Sequence, residues 1–559
     1  MEEDYRGFVQ ILQKIADRLR EGKISLRDIR EEDIQVLVQN IFNKDICEMY
    51  FEVYKFIARY GDAGQQGSVI SLLKELIQYY DEKTGKLLEQ RSAYTKYQDI
   101  ITAYSENELT DEFISGKTWE SVALLKDEKK VKLFSRVCDA VNERNIERIK
   151  KQSKIKIAFL TKDSAEWSVD VLYQKLLHDE RYEVYVIVAP FFVGTDTTIK
   201  DTYELAVKYF VNKEYPVVGI CDILGERLSE KGEPEYFFKS WDDMPKPDVL
   251  FLLNPHYKAF LNSSSIINFP LQTLMVYIPY GFSLYGNIHD QYNQLSHALC
   301  WKIFWETEMD IKISRKYADL GDRNGEVSGY LKMDGFYGKE YRSAEEIWEI
   351  PEGETAGSVK KIIYAPHWSI RRACTGFGNF DKMYDKILQY AKEHADTTTW
   401  IFRPHPMLRY GVVGQGLFAS EAEFDDYMKK WDELPNARVM ERGEYIDIFR
   451  TSDALIGDSI SFLGEYQYTH KPLLFITREE NTFDDFGEEL IKILYQARGE
   501  DFESVVKFIN EVVVREKDTM YEAREKFFEK YLDYKTRNGK LASDYIKEYL
   551  DRTFENVKK

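Results

Sequence analysis

Cysteine is scarce in this chain. The five present, Cys47, Cys138, Cys221, Cys300 and Cys374, are widely spaced, odd in number and never in a CxxC pair. That spacing argues against a disulfide framework and against a zinc site, and isolated buried thiols in a reducing cytoplasm are expected. Positive charge is also in deficit, with a formal net charge of −19. Such a surface repels a phosphate backbone, so no nucleic-acid partner is expected. Long apolar runs are missing too. The most apolar stretch, 266–282, is broken by Pro270 and Pro279. Nothing approaches the length that crosses a bilayer, so any membrane role is peripheral, at the inner face of the cell membrane. The opening MEEDYRGFVQ lacks the basic start and apolar core of a secretory signal, which predicts a cytoplasmic location. There is no Walker loop, no GxGxxG and no GxSxG elbow. Asp242-Asp243 and Asp484-Asp485 do not sit clearly at strand ends, so neither reads as a DxD metal site. No metal and no cofactor are expected.

What is present is 559 residues of ordinary globular composition, 44% hydrophobic and 31% charged, enough for several domains. Residues 1–150 read as helical. Phe8, Ile11, Leu12, Ile15 and Leu19 recur at helical spacing, and proline is absent there. This domain or arm has four candidate uses: partner docking, homo-oligomerisation, covering the body, or plain stabilisation. Character changes at Lys154. An apolar strand at 155–160, a polar turn at 161–166, a helix with Trp167, Val171, Leu172 and Leu176, and a strand at 182–188 make a β-α-β unit. Further strands are expected at 209–211, 217–220, 248–253 and 274–278. A second alternating unit has strands at 361–365, 398–402, 437–440, 454–456 and 473–476. The acidic stretch 349–358 is the hinge between the units. The expected fold class is α/β. It has two Rossmann-like parallel-sheet domains facing a cleft, 151–348 on the acceptor side and 349–515 on the donor side. An N-terminal helical domain, 1–150, precedes them, and C-terminal helices, 516–559, pack back on the body.

Open α/β sheets bind ligands beyond the carboxyl ends of their strands. In the second unit those ends carry His367, Arg403, His405 and the turn from Gly457 to Ser461. Arginine offers a planar fork to phosphate oxygens, and histidine donates or titrates near neutrality. The turn leads into a helix, whose unpaired N–H groups and dipole favour an anion. Ser459 and Ser461 add hydroxyls, and Glu465 could accept from ribose. The plainer alternative is that Asp458 or Ser459 only caps that helix. In the first unit, His256 and His289 are candidate general bases, with an ordinary loop histidine as the alternative for each. The basic cluster Arg144, Arg148, Lys150, Lys151, Lys154 and Lys156 reads as a solvated helix end rather than a lipid-binding patch.

KIIYAPHWS (361–369), FRPHP (402–406) and SDALIGDSISFLGEYQYTHKPLLFI (452–476) resemble the CDP-glycerol glycerophosphotransferase family of teichoic-acid-type polymer synthesis. Its members carry a YAPTWR-like strand end, an R-x-HP-like strand end and an SD-x-LITDYSS…KP segment. The 524–543 tail is similar to the family's R-x-x-F…G-x-A-S ending. The resemblance implies a GT-B architecture. It implies that Arg403 and His405 face the donor phosphates, with His367 beside them and His405 among the catalytic groups. Ser459 and Ser461, with the amides around Asp458 and Ile460, would hold the pyrophosphate, and Glu465 the ribose. Three segments depart from the pattern: Ala365-Pro366-His367-Trp368, Gly457-Asp458-Ser459-Ile460-Ser461, and Tyr277-Ile278-Pro279-Tyr280-Gly281. The last has no counterpart of the family's histidine, which leaves the base open. The implied activity is transfer of an alditol phosphate from a CDP-activated donor to a polymer or lipid-linked acceptor. One alternative is a glycosyltransferase using a nucleotide sugar for capsule or surface polysaccharide. Another is a non-catalytic nucleotide-binding adaptor that recruits partners through its N-terminal helices.

Overall fold

The computed structural model describes residues 128–189, 196–218, 224–228, 234–238, 246–255, 272–318, 320–339, 341–370, 376–441 and 443–555. The helices expected before residue 128, and with them most of the N-terminal domain, lie outside those residues. A helix at Glu128–Ile149 leads into the first sheet. Within the basic cluster at its end, Arg148 is tied to the body by bonds to Asp248 and to the Gln272 carbonyl.

The first sheet contains β1 (Ile155–Thr161), β2 (Tyr182–Val188), β5 (Val249–Leu252), β6 (Leu274–Tyr277), β7 (Lys302–Trp305) and β8 (Gly325–Val327). β3 (Leu224–Leu228) and β4 (Pro234–Phe238) form a separate antiparallel pair. The sheet order is β2-β1-β5-β6-β7-β8, and every pairing is parallel. Most strand residues are buried, as strands covered on both faces must be. The second sheet contains β9 (Lys360–Ala365), β10 (Thr398–Phe402), β11 (Ala437–Val439), β12 (Ala454–Gly457), β13 (Leu473–Thr477) and β14 (Tyr495–Arg498). Its order is β11-β10-β9-β12-β13-β14, again all parallel, the doubly wound arrangement. The chain reverses direction across each sheet between β1 and β5, and between β9 and β12. Two such sheets in tandem give a GT-B-like α/β architecture.

One expected strand is corrected. Residues 209–211 belong to the helix Asp196–Asn212. Tyr203, Ala206, Val207 and Phe210 are buried at helical spacing, and a three-residue apolar run does not separate the two periods. Of the strand expected at 217–220, residues 219–220 lie outside the described residues, and Val217 forms a parallel bridge with Val186 at the edge of β2.

The last helix, Ala542–Thr553, returns to the first domain and lies on the helix Asp170–Leu177. Lys175 donates to Ser543 at 2.9 Å, Tyr182 to Asp551 at 2.6 Å, and Lys547 to Asp179 at 2.7 Å. Asp334 fixes the start of this helix by accepting from the backbone of Ala542 and Ser543 and from the Tyr534 hydroxyl. Among the described residues no helix is long and apolar enough to cross a membrane.

A seam joins the two domains. The segment after β6 lies along the segment after β13, with Gly286 N–H donating to Thr482 O at 3.1 Å and Asp484 N–H to Leu284 O at 3.0 Å. Gly281 admits Ser461, whose Cβ would be 3.2 Å from a Cβ placed there. The Tyr277–Gly281 segment, where the family pattern breaks, thus runs into the domain contact.

Candidate active site

β9, β10 and β12 end side by side, and their ends carry the groups singled out in the sequence. Gly457 stands opposite Ala365 in register, and a Cβ on it would run into the Ala365 carbonyl oxygen. Only glycine lets β12 turn here. The turn delivers Asp458 inward, not outward. Its buried carboxylate accepts from His367 N–H at 2.7 Å, from Asn379 N–H at 2.5 Å and from Asn379 Nδ2 at 3.2 Å. Asp458 therefore fastens the loops after β9 and β12 together, and it is no helix cap. The helix it precedes, Ile460–Glu465, starts after Ser459, whose side chain makes no cap bond.

His367 is buried, and its Nδ1 accepts from the Ser369 backbone N–H at 3.2 Å and lies 2.7 Å from the Ser369 hydroxyl. His405 is partly buried, and its Nδ1 accepts from Met407 N–H at 3.0 Å. An Nδ1 that accepts an N–H leaves the ring proton on Nε2. Burial and the neighbouring His405 hold the His367 pKa well below its ordinary value. Burial and the charge of Lys162 push His405 down to about 3. Both rings are thus neutral, each with an Nε2–H donor, and their centroids are 5.1 Å apart. Lys162 stands at the end of β1, so the first domain's charge reaches the second domain's strand ends.

Arg403 is engaged with its own domain. Its terminal nitrogens donate to Met440 O at 2.9 Å and Gly443 O at 2.7 Å, and the guanidinium lies over the Tyr445 ring. Burial lowers its pKa to about 10. Glu465 is fully buried. Tyr330 donates to one of its oxygens at 2.5 Å and Tyr445 to the other. Because Tyr330 is in the first domain, Glu465 is a bracket across the seam, and both its oxygens already have donors. His256 lies outside the described residues. His289 falls in the helix Ile288–Tyr292, its side chain outside the description.

Two features escaped the sequence reading. One is an ion pair at the end of β1, Lys162 with Glu166 at 2.8 Å. A carboxylate in the turn after a first strand was the available signal, but its burial was not. The other is a group of acids between the domains. Tyr292 donates to Asp310 at 2.9 Å and to Asp484 at 3.1 Å, and Glu306, at the end of β7, is buried without a bonded partner among the described residues. Burial pushes both Asp458 and Asp484 up to about 7, against the N–H donors that pull them down. An unfolded aspartate titrates near ~3.9. Between those values the folded chain holds more protons, so stability falls as pH rises. The melting temperature is expected to drop between about pH 5 and pH 8 by this linkage. A scan that rises across that interval would contradict it.

Residues 311–549 match the family model described as CDP-Glycerol:Poly(glycerophosphate) glycerophosphotransferase. The match spans less than half of the chain; with the two-sheet fold it indicates a transferase of GT-B-like architecture, and the matched region contains His367, Arg403, His405 and the 457–465 turn and helix. No curated protein matches the chain in sequence. Among solved structures, S. aureus MnaA with UDP is 13% identical, with a TM-score of 0.44, over 72% of this chain and 98% of that one. The UDP-GlcNAc 2-epimerase from Neisseria meningitidis bound to UDP-GlcNAc is 14% identical, with a TM-score of 0.41, over 71% and 100%. A variant of the wall teichoic acid polymerase TagF with CDPG is 12% identical, with a TM-score of 0.42, over 83% and 98%.

Proposed function

We propose that this chain transfers an alditol phosphate, glycerol phosphate in the first instance, from a CDP-activated donor to a hydroxyl of a cell-envelope polymer or lipid-linked acceptor. The observation that carries the reading is the pair of neutral imidazoles, His367 and His405, at adjacent strand ends beside the reversal point of a doubly wound sheet. Two fixed N–H donors suit phosphate oxygens whose charge grows as the leaving nucleotide departs. Ser459, Ser461 and the Ile460 amide lie on the next strand end and complete the pyrophosphate contacts. Asp458, Arg403 and Glu465 hold this frame, since their polar atoms are committed to it. The family match over the same region supports the class of donor.

A thermal-shift series with CDP-glycerol, CDP-ribitol, UDP-GlcNAc, CMP and UDP tests the reading. CDP-glycerol at a hundredfold excess over its Kd is expected to stabilise the fold by about 2.7 kcal/mol, and UDP-GlcNAc much less. A response to UDP-GlcNAc alone would move the donor to a nucleotide sugar. No response to any of the five would favour an adaptor without catalysis.

A further inference from the structure

The described half of the acceptor side holds a second cluster, outside the region that the family model matches. It sits where the first sheet reverses, between β1 and β5, with Lys162 after β1, Asn254 after β5 and Tyr280 after β6. Glu166 lies on the turn Ser164–Glu166, which Asp163 starts by accepting from the Ala165 N–H. One carboxylate oxygen of Glu166, Oε1, takes Lys162 Nζ at 2.8 Å and Asn254 Nδ2 at 2.6 Å. The other, Oε2, is buried and has no hydrogen-bond partner among the described residues. Glu166 as a whole is 3% exposed.

A buried carboxylate oxygen without a donor is costly, and a fold does not keep one without compensation. Here one oxygen is held by a cation and an amide, so the carboxylate is oriented, and the other is left open. A ligand hydroxyl is the group that would complete it. Ser168, two residues after Glu166, donates to Pro279 O at 3.5 Å, and Gly281, two residues on, packs on Ser461 of the donor turn, so the pair lies beside the donor-side strand ends.

We propose that Glu166 is the proton acceptor for the attacking hydroxyl, with Lys162 and Asn254 as its positioning residues, an inference that rests on the transferase reading above. The acceptor oxygen forms a bond to the donor's β-phosphorus. The bond from that phosphorus to the CMP oxygen breaks, and its electron pair leaves on CMP. The hydroxyl proton passes to Oε2 of Glu166. The requirement for a base is met without either candidate histidine of the first domain. Burial raises the Glu166 pKa, Asp163 raises it further, and Lys162 and Asn254 oppose the rise. Tyr280, after β6, borders the same cluster.

The test uses the full-length protein with CDP-glycerol and a synthetic oligo(glycerol phosphate) acceptor, and reads CMP release. Glu166→Gln is expected to lower kcat by about 10²–10³-fold, leaving KM for CDP-glycerol and the CDP-glycerol thermal shift within about twofold. The acid limb of the pH–rate profile should belong to Glu166 and move to higher pH in Lys162→Gln, because the opposing cation is gone. A structural role would not move that limb. Glu166→Gln with kcat within about threefold of the parent overturns the proposal while the donor site stands. Should Glu166→Gln not fold, an unshifted acid limb in Lys162→Gln overturns it. A parent protein that neither shifts with CDP-glycerol nor releases CMP overturns the transferase reading itself, and this proposal with it.

Discussion

Replacing His367 and His405 together by alanine is expected to reduce CMP release from CDP-glycerol by about 10⁴-fold or more, with a fold that still melts cooperatively. One preorganised donor to a developing oxyanion is commonly worth about 10²–10³ in kcat. The two rings here are adjacent, neutral and fixed through Nδ1, so both Nε2–H groups are set before the donor binds. Charge repulsion does not enter, because neither ring is protonated at neutral pH. The rate loss should be nearly independent of pH from 6 to 8. A bell-shaped profile whose limb disappears in His405→Ala would mean that His405 titrates in turnover. Steady-state kinetics of the two single variants and the double variant settle the matter. Their effects should not add fully, since the groups share one phosphate.

Asp458→Ala is expected to be the most damaging substitution for stability, at about 3–5 kcal/mol, the range for uncovering a buried polar network. Three N–H bonds converge on that carboxylate from backbone and side chain 79 and 91 residues away in the chain. Alanine leaves those donors buried and empty, and it frees the loop that carries His367. Chemical denaturation should report the loss. Activity at low temperature should fall as well, because the His367 imidazole loses the anchor of its own backbone N–H. A variant as stable as the parent would show that water replaces the carboxylate in the pocket.

The strand ends were legible because they obey a positional rule. His367, Arg403 and His405 follow apolar runs of strand length, and the doubly wound sheet puts such residues side by side. Their direction was not legible. Asp458 and Glu465 read as groups offered to a ligand, yet each is turned into the protein by donors from distant segments. A carboxylate beside a helix start has the same local sequence whether it faces a ribose or Tyr330 and Tyr445. Glu166 went unread for the converse reason. The polar turn 161–166 was visible, but only the fold buries Glu166 within it and brings Asn254 to its carboxylate. The misassigned strand at 209–211 shows the same limit at the level of period, since three apolar residues suit either element.

The return of the helix Ala542–Thr553 to the first domain has a mechanical consequence. The backbone passes between the two halves twice, once near residues 349–358 and again before the last helix. Two covalent crossings, with the backbone bonds of Gly286 to Thr482 and of Asp484 to Leu284, make the halves one tethered body, so a cut in either crossing alone would leave them joined.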